Sequence, residues 1–190
     1  MMSKYFPWVF SLPSLVFFIV LGLGGCSVKQ EINTVPIGLP QPFQLESPAS
    51  YGGQLSVTQK LEIDYAGEHR EVVAQVEIDE KQLNLVAWGP MGIFLFSISW
   101  DGMQIKVMKA PGLRLHFPPE YLLVDMQLAL WPNFPANPGL PLQEQPKRRI
   151  LRGDGAPILI IDYPQGRKGM PEIHIHQVEK DYRLQITRLD

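Results

Sequence analysis

The chain has 190 residues, 45% of them hydrophobic and 19% charged, with a formal net charge of -2. That length suits one ordinary domain plus a tail, the composition excludes a disordered chain, and no basic excess points to nucleic acid. A single Cys excludes an intrachain disulfide and a multi-Cys zinc site, and 18 Pro with 16 Gly argue against a bundle of long helices.

Lys4 is the only charge ahead of Lys29, and an apolar run from Phe6 to Leu23 leads into Leu23-Gly24-Gly25-Cys26. A positive start, an apolar stretch and small residues before a cleavage point describe an export signal. The sole Cys directly after the small residues looks like a bacterial lipobox. That resemblance implies cleavage between Gly25 and Cys26, acylation of Cys26, and anchoring by several acyl chains. Ser27 behind the Cys implies sorting to the outer membrane of a Gram-negative cell, on its periplasmic face. The signal peptide is thus 1–25, and an uncleaved membrane helix is disfavoured by Pro7, Pro13 and the glycines at its end.

Residues 26–52 combine the lipidated Cys with Pro36, Pro40, Pro42 and Pro48 and show no hydrophobic period. They read as a tether, with a span of roughly 25–30 Å if flexible. From residue 53 the period becomes two. Leu55, Val57, Leu61, Ile63 and Tyr65 alternate with polar residues, as do Val72, Ala74, Val76 and Ile78, and a third strand runs from Leu83 to Trp88. Asp101-Gly102 suits a two-residue hairpin turn. Counting outward, Trp100 faces Met103, Ile98 faces Ile105 and Phe96 faces Val107, so one face is wholly apolar.

Pro118-Pro119-Glu120 opens a helix running from Tyr121 to Trp131, with Pro in the first turn and a carboxylate at the positive end of the dipole. A Pro-rich loop follows, then strands over about 148–152, 158–163, 172–178 and 182–189. The sum is about nine antiparallel strands and one helix. The expected class is mainly β with a helical lid: a strongly curved antiparallel sheet or open β-barrel over 53–190, with a β-sandwich as the other architecture.

Few residues suggest chemistry. His174 and His176 share a strand face, but a catalytic zinc usually needs three protein ligands, and two solvent-facing imidazoles are the favoured reading. Asp125, Asp154, Asp162 and Glu120 show no spacing that selects an acid–base pair. There is no GxSxG and no P-loop, so a non-enzymatic protein without cofactor or metal is expected. Lys147, Arg148, Arg149 and Arg152 read as a solvated strand edge or, less favoured, as a contact for anionic head groups. The aromatic set Trp88, Phe94, Phe96 and Trp100 fits either a filled core or an acyl-sized cavity.

The stretch Leu83-Asn84-Leu85-Val86-Ala87-Trp88-Gly89-Pro90-Met91-Gly92, the following hairpin, Ala110-Pro111-Gly112 and the ending Met170-Pro171-Glu172-Ile173 resemble the LolB family of outer-membrane lipoproteins, which shares the fold of the carrier LolA. Within that resemblance the chain looks nearest to a LolB-like group associated with aryl-polyene pathways. The resemblance implies an apolar cavity, for which Trp88, Phe94, Phe96, Ile98, Trp100, Leu122 and Met126 are the lining candidates. It also implies a loop, Pro90, Met91 and Gly92, that touches membrane or cargo, with Met91 where LolB carries an exposed Leu. The implied partners are membrane lipid through Cys26, an acylated cargo (lipoprotein or glycolipid) and a periplasmic carrier. A structural lipoprotein that scaffolds an envelope complex without lipid cargo is the alternative.

Overall fold

The computed structural model describes residues 34–35, 42–133, 141–178 and 180–190. The signal peptide, Cys26 and half of the segment joining it to the domain lie outside these residues.

Ten strands form one antiparallel sheet. In chain order they are β3 (Leu55–Tyr65), β4 (Glu68–Ile78), β5 (Leu83–Trp88), β6 (Phe94–Trp100), β7 (Ile105–Lys109), β8 (Leu142–Gln145), β9 (Arg148–Gly153), β10 (Ala156–Asp162), β11 (Glu172–Gln177) and β12 (Tyr182–Arg188). A two-residue pair, β1 (Thr34–Val35) with β2 (Phe43–Gln44), stands apart from it. In space the order is β7-β6-β5-β4-β3-β12-β11-β10-β9-β8. Consecutive strands are neighbours except β7 and β8, which form the two edges, and β12 returns to pair with β3, which brings the last strand to the centre. The class is mainly β with one helix, as expected, but the sheet is neither closed nor strongly curled, since the edges β7 and β8 do not pair. No second large sheet forms, so the sandwich architecture is also absent among the described residues.

A helix covers the inner face instead. In α1 (Tyr121–Leu130) all ten residues are buried. Eight of them are apolar, and a helix hydrophobic all round has to be enclosed. Three N-terminal turns begin it, with Tyr121, Leu122 and Leu123 N–H donating to Pro118, Pro119 and Glu120 carbonyls. Its far end is held by Arg149, which is fully buried. That guanidinium donates to the carbonyls of Leu128 (2.7 Å), Trp131 (2.8 Å) and Pro132 (3.1 Å) and to Glu144 Oε1 (2.7 Å). Cationic donors at the C-terminal carbonyls satisfy groups that the helix leaves unpaired and complement its dipole. Arg149 therefore leaves the basic cluster expected at a strand edge, and Arg148 pairs with Asp162 across to β10. Arg152 donates to the Gly155 carbonyl.

Residues 42–52, expected to be tether, pack on the domain. Phe43, Leu45 and Pro48 are buried. The Glu46 backbone forms a two-way hydrogen bond with the Gln127 amide (2.9 and 2.8 Å), and its carbonyl also accepts from Trp100 Nε1 (2.7 Å). Trp131 Nε1 donates to Ser50 Oγ at 2.8 Å while Tyr51 meets the Trp131 ring edge-on. This strap crosses α1 and satisfies the polar handles of two fully buried Trp residues. The physical reason is coverage: a single open sheet shields only one side of an apolar helix.

The β6–β7 hairpin departs from the two-residue turn. Trp100 pairs with Ile105, Ile98 with Val107 and Phe96 with Lys109. The connection is four residues long because Asp101 Oδ1 accepts from both Met103 N (2.9 Å) and Gln104 N (2.7 Å). The register moves by two positions, so every side chain keeps its expected face.

Candidate functional site

The loop after β5 is a tight turn that ends in an exposed methionine. Gly89 N donates to the Ile93 carbonyl (2.9 Å), and Gly92 N donates back to the Gly89 carbonyl (3.2 Å). Pro90 starts the turn. Met91 then takes φ 59°, ψ 22°, and Gly92 takes φ 72°. Gly adopts this left-handed conformation freely, whereas a residue with a Cβ loses roughly 1–2 kcal/mol there. The Met91 side chain is also 94% exposed. Such a side chain forgoes the roughly 1.5–3 kcal/mol that burial supplies. Backbone strain and apolar exposure at one residue both work against folding stability, a combination associated with functional sites.

The surroundings extend the apolar surface. Trp88 lies opposite Val73 on one side and Phe94 on the other, on the sheet face turned away from α1. Val73 and Ile93 are exposed at 37% and 57%. A shallow groove of about 540 Å³ runs between Val73, Trp88 and the Pro90-Met91-Gly92 loop, with Glu71 at its edge. Val73 and Ile93 were readable as breaks in alternation, since Val72-Val73 and Ile93-Phe94 each put one apolar residue on the wrong face. Scattered apolar residues are normal on a surface, whereas a contiguous group beside a strained tip marks an interaction site.

The seven cavity candidates divide. Phe96, Ile98, Trp100, Leu122 and Met126 are buried in the core. Phe96, Ile98 and Trp100 lie on β6 and Leu122 and Met126 on α1, and none of them lines a described cleft. Trp88 and Phe94 lie on the opposite face. Strand alternation from Leu83, Leu85 and Ala87 turns Trp88 outward, and an irregularity between Ala87 and Trp88 sets Phe94 opposite it. The loop residues Pro90, Met91 and Gly92 form the exposed tip.

Several other polar groups have structural partners. His174 and His176 share the outer face, and His174 Nε2 lies 2.8 Å from Glu172 Oε1. Among the described residues, no group of three or more His, Cys, Asp or Glu is placed to hold a metal, and no helix is long and apolar enough to cross a membrane. Asp125 is fully buried in α1, and its Oδ2 accepts from Tyr182 OH at 2.7 Å. Burial pushes its carboxyl up to about 7, against the opposing influence of Tyr182 and the neighbouring Gln177. Asp125 Oδ1 and both amide atoms of Gln177 have no hydrogen-bond partner. This cluster lies inside the core, and Asp125, Tyr182 and Gln177 line none of the described clefts.

The structure thus defines a class: a ten-stranded antiparallel sheet packed on one buried helix, with a strained apolar tip at the end of an interior strand. The chain belongs to the DUF3261 family, described as a protein of unknown function, whose family model matches residues 56–190. No curated protein matches the chain. Among solved structures it is similar to a crystal structure from Vibrio parahaemolyticus provisionally described as an outer membrane lipoprotein-sorting protein domain, with 8% identity and a TM-score of 0.36 over 73% of this chain and 84% of that chain. That likeness is too loose to transfer a function.

Proposed function

We propose that the protein is a non-enzymatic, lipid-anchored envelope protein that handles acylated molecules through the Met91 tip. Cys26 anchors it at the periplasmic face of the outer membrane, as the lipobox and Ser27 imply. The tip contacts acyl chains, either those of a lipid-modified cargo or those of the bilayer that receives it. The observation that carries this reading is Met91 itself, strained at φ 59° and 94% exposed beside the Trp88 groove. A flexible, polarisable thioether suits an irregular apolar ligand. Because α1 occupies the interior, the acyl contact is assigned to the surface rather than to an internal cavity. The resemblance to LolB-like lipoproteins, including the aryl-polyene-associated group, supports the same reading.

The packed interior also favours a second reading, a scaffold lipoprotein whose tip docks a protein partner. Met91→Asp separates the two. An exposed side chain leaves the urea midpoint nearly unchanged, as surface substitutions alter stability by no more than about 0.5 kcal/mol. The proposed function predicts that transfer of a fluorescent acylated peptide to liposomes falls in this variant. Unchanged transfer at intact stability defeats the acyl-handling reading and leaves the scaffold.

A further inference from the structure

The outer face of β3–β7 changes character along the strands. At one end lies the row Lys60, Val73, Trp88 and Phe94, next to the Met91 tip. The middle row is Thr58, Gln75, Val86, Ser97 and Met108. The far row is Ser56, Glu77, Asn84, Ser99 and Lys106. Asn84 and Trp88 are four residues apart on one strand, about 13 Å. A second cleft of about 280 Å³ sits at this far end, lined among others by Gln54, Ser56, Glu77, Gln82 and Asn84. Apolar and polar clefts therefore occupy the two ends of one strand face.

We infer that this face binds an amphiphile with a neutral glycan head, the sugar lying on the Asn84 row while its acyl part reaches the Trp88–Met91 groove. The inference rests on the acyl-handling reading and names the head group that goes with it. Several observations select the head. The polar cleft offers amides and a hydroxyl, which both donate to and accept from sugar hydroxyls. Its charged members are Glu77 and Asp79, which repel phosphate. The nearest cation in the row, Lys106, lies 3.9 Å from Asp101. Ser97 and Ser99, opposite Val86 and Asn84 on the neighbouring strand, are short and add hydroxyls beside the row. Asn is disfavoured in strands, and the Asn84 side chain has no hydrogen-bond partner among the contacts described. By contrast, Gln75 is held by Thr58 Oγ1 (2.9 Å) and Ser56 Oγ (3.1 Å), which fixes the floor between the two clefts.

The test uses the full-length acylated protein held in an amphipathic polymer, with hexyl-β-maltoside, hexylphosphocholine and maltose as probes. Backbone amide shifts of Asn84 and Ser99 and the Trp88 indole signal report the two ends. Hexyl-β-maltoside is expected to shift both ends with one saturation curve, and maltose to shift the Asn84 end alone. Asn84→Lys and Ser99→Asp, checked for unchanged urea midpoints, are expected to weaken hexyl-β-maltoside binding at least tenfold without altering the Trp88 response to hexylphosphocholine. Shifts confined to Trp88, with equal affinity for the two amphiphiles, overturn the glycan assignment while leaving the acyl tip in place. No shift at either end overturns both.

Discussion

A buried carboxyl with no complete set of partners makes stability depend on pH, and Asp125 is the test of that. In the unfolded chain its carboxyl titrates near 3.8, and in the folded chain near 7. Below the lower value both states hold the proton and the packing of α1 is fully favourable. As pH rises, the unfolded chain releases the proton first, so stability falls until the folded group ionises as well. The separation of the two values, at about 1.36 kcal/mol per pH unit, makes a loss of about 4 kcal/mol between acid and slightly alkaline pH. That is a large share of the roughly 5–15 kcal/mol that holds an ordinary domain together. Asp125→Asn keeps the volume, can still accept from Tyr182, and cannot ionise. Urea midpoints for both proteins at pH 4.5, 6, 7.5 and 8.5 isolate the effect, because exposed carboxylates contribute equally to each. The variant is expected to match the native protein at low pH and to exceed it by up to about 4 kcal/mol above pH 7. Parallel pH profiles would refute the assignment of a neutral buried carboxyl.

Arg149→Ala leaves the Leu128 and Trp131 carbonyls without that donor, while Glu144 and the Pro132 carbonyl keep Arg167; at about 1–3 kcal/mol for each buried unsatisfied group, a loss of about 2–6 kcal/mol is expected in the same urea assay. Arg149→Lys rescues little, since one ammonium cannot reproduce the planar fork. A chain beginning at residue 53 orphans Trp100 Nε1, Trp131 Nε1 and the Gln127 amide. At about 1–3 kcal/mol for each buried unsatisfied group, it is expected to melt far below a chain beginning at residue 34. Met91→Gly relieves the left-handed strain and is expected to raise stability by up to about 1 kcal/mol while abolishing liposome transfer.

Period-two alternation made the central sheet legible. The first strand of the sheet, Leu55–Tyr65, and the third, Leu83–Trp88, fall where the pattern puts them, because each has one buried face. The helix was readable for the opposite reason: its polar positions are too few for a surface helix. The edge strand Leu142–Gln145 was not readable, since a Leu-Gln-Glu-Gln segment between prolines buries almost nothing and owes its strand form to pairing with β9. The strap was hidden because Val35, Phe43 and Leu45 are spaced to cover a helix, which leaves no period. Arg149 was read as surface because charge says nothing about burial when carbonyls at a helix end supply the partners. At the site, Pro90-Met91-Gly92 stood out as an apolar residue in a turn. Its flanking surface at Val73 and Ile93 shows in the sequence only as breaks in alternation, and that both lie beside the tip depends on strand neighbours.

The most direct measurement of the central claim is the depth of residue 91 in a bilayer. With Cys26 acylated, Met91→Cys carries the one free thiol, and a nitroxide there can be probed by collision with oxygen and with a water-soluble nickel chelate in proteoliposomes. Acyl contact predicts high oxygen and low nickel accessibility at residue 91, with the reverse for a label at Leu189, which is also exposed. Equal nickel accessibility at the two positions, with and without acylated cargo present, would contradict it.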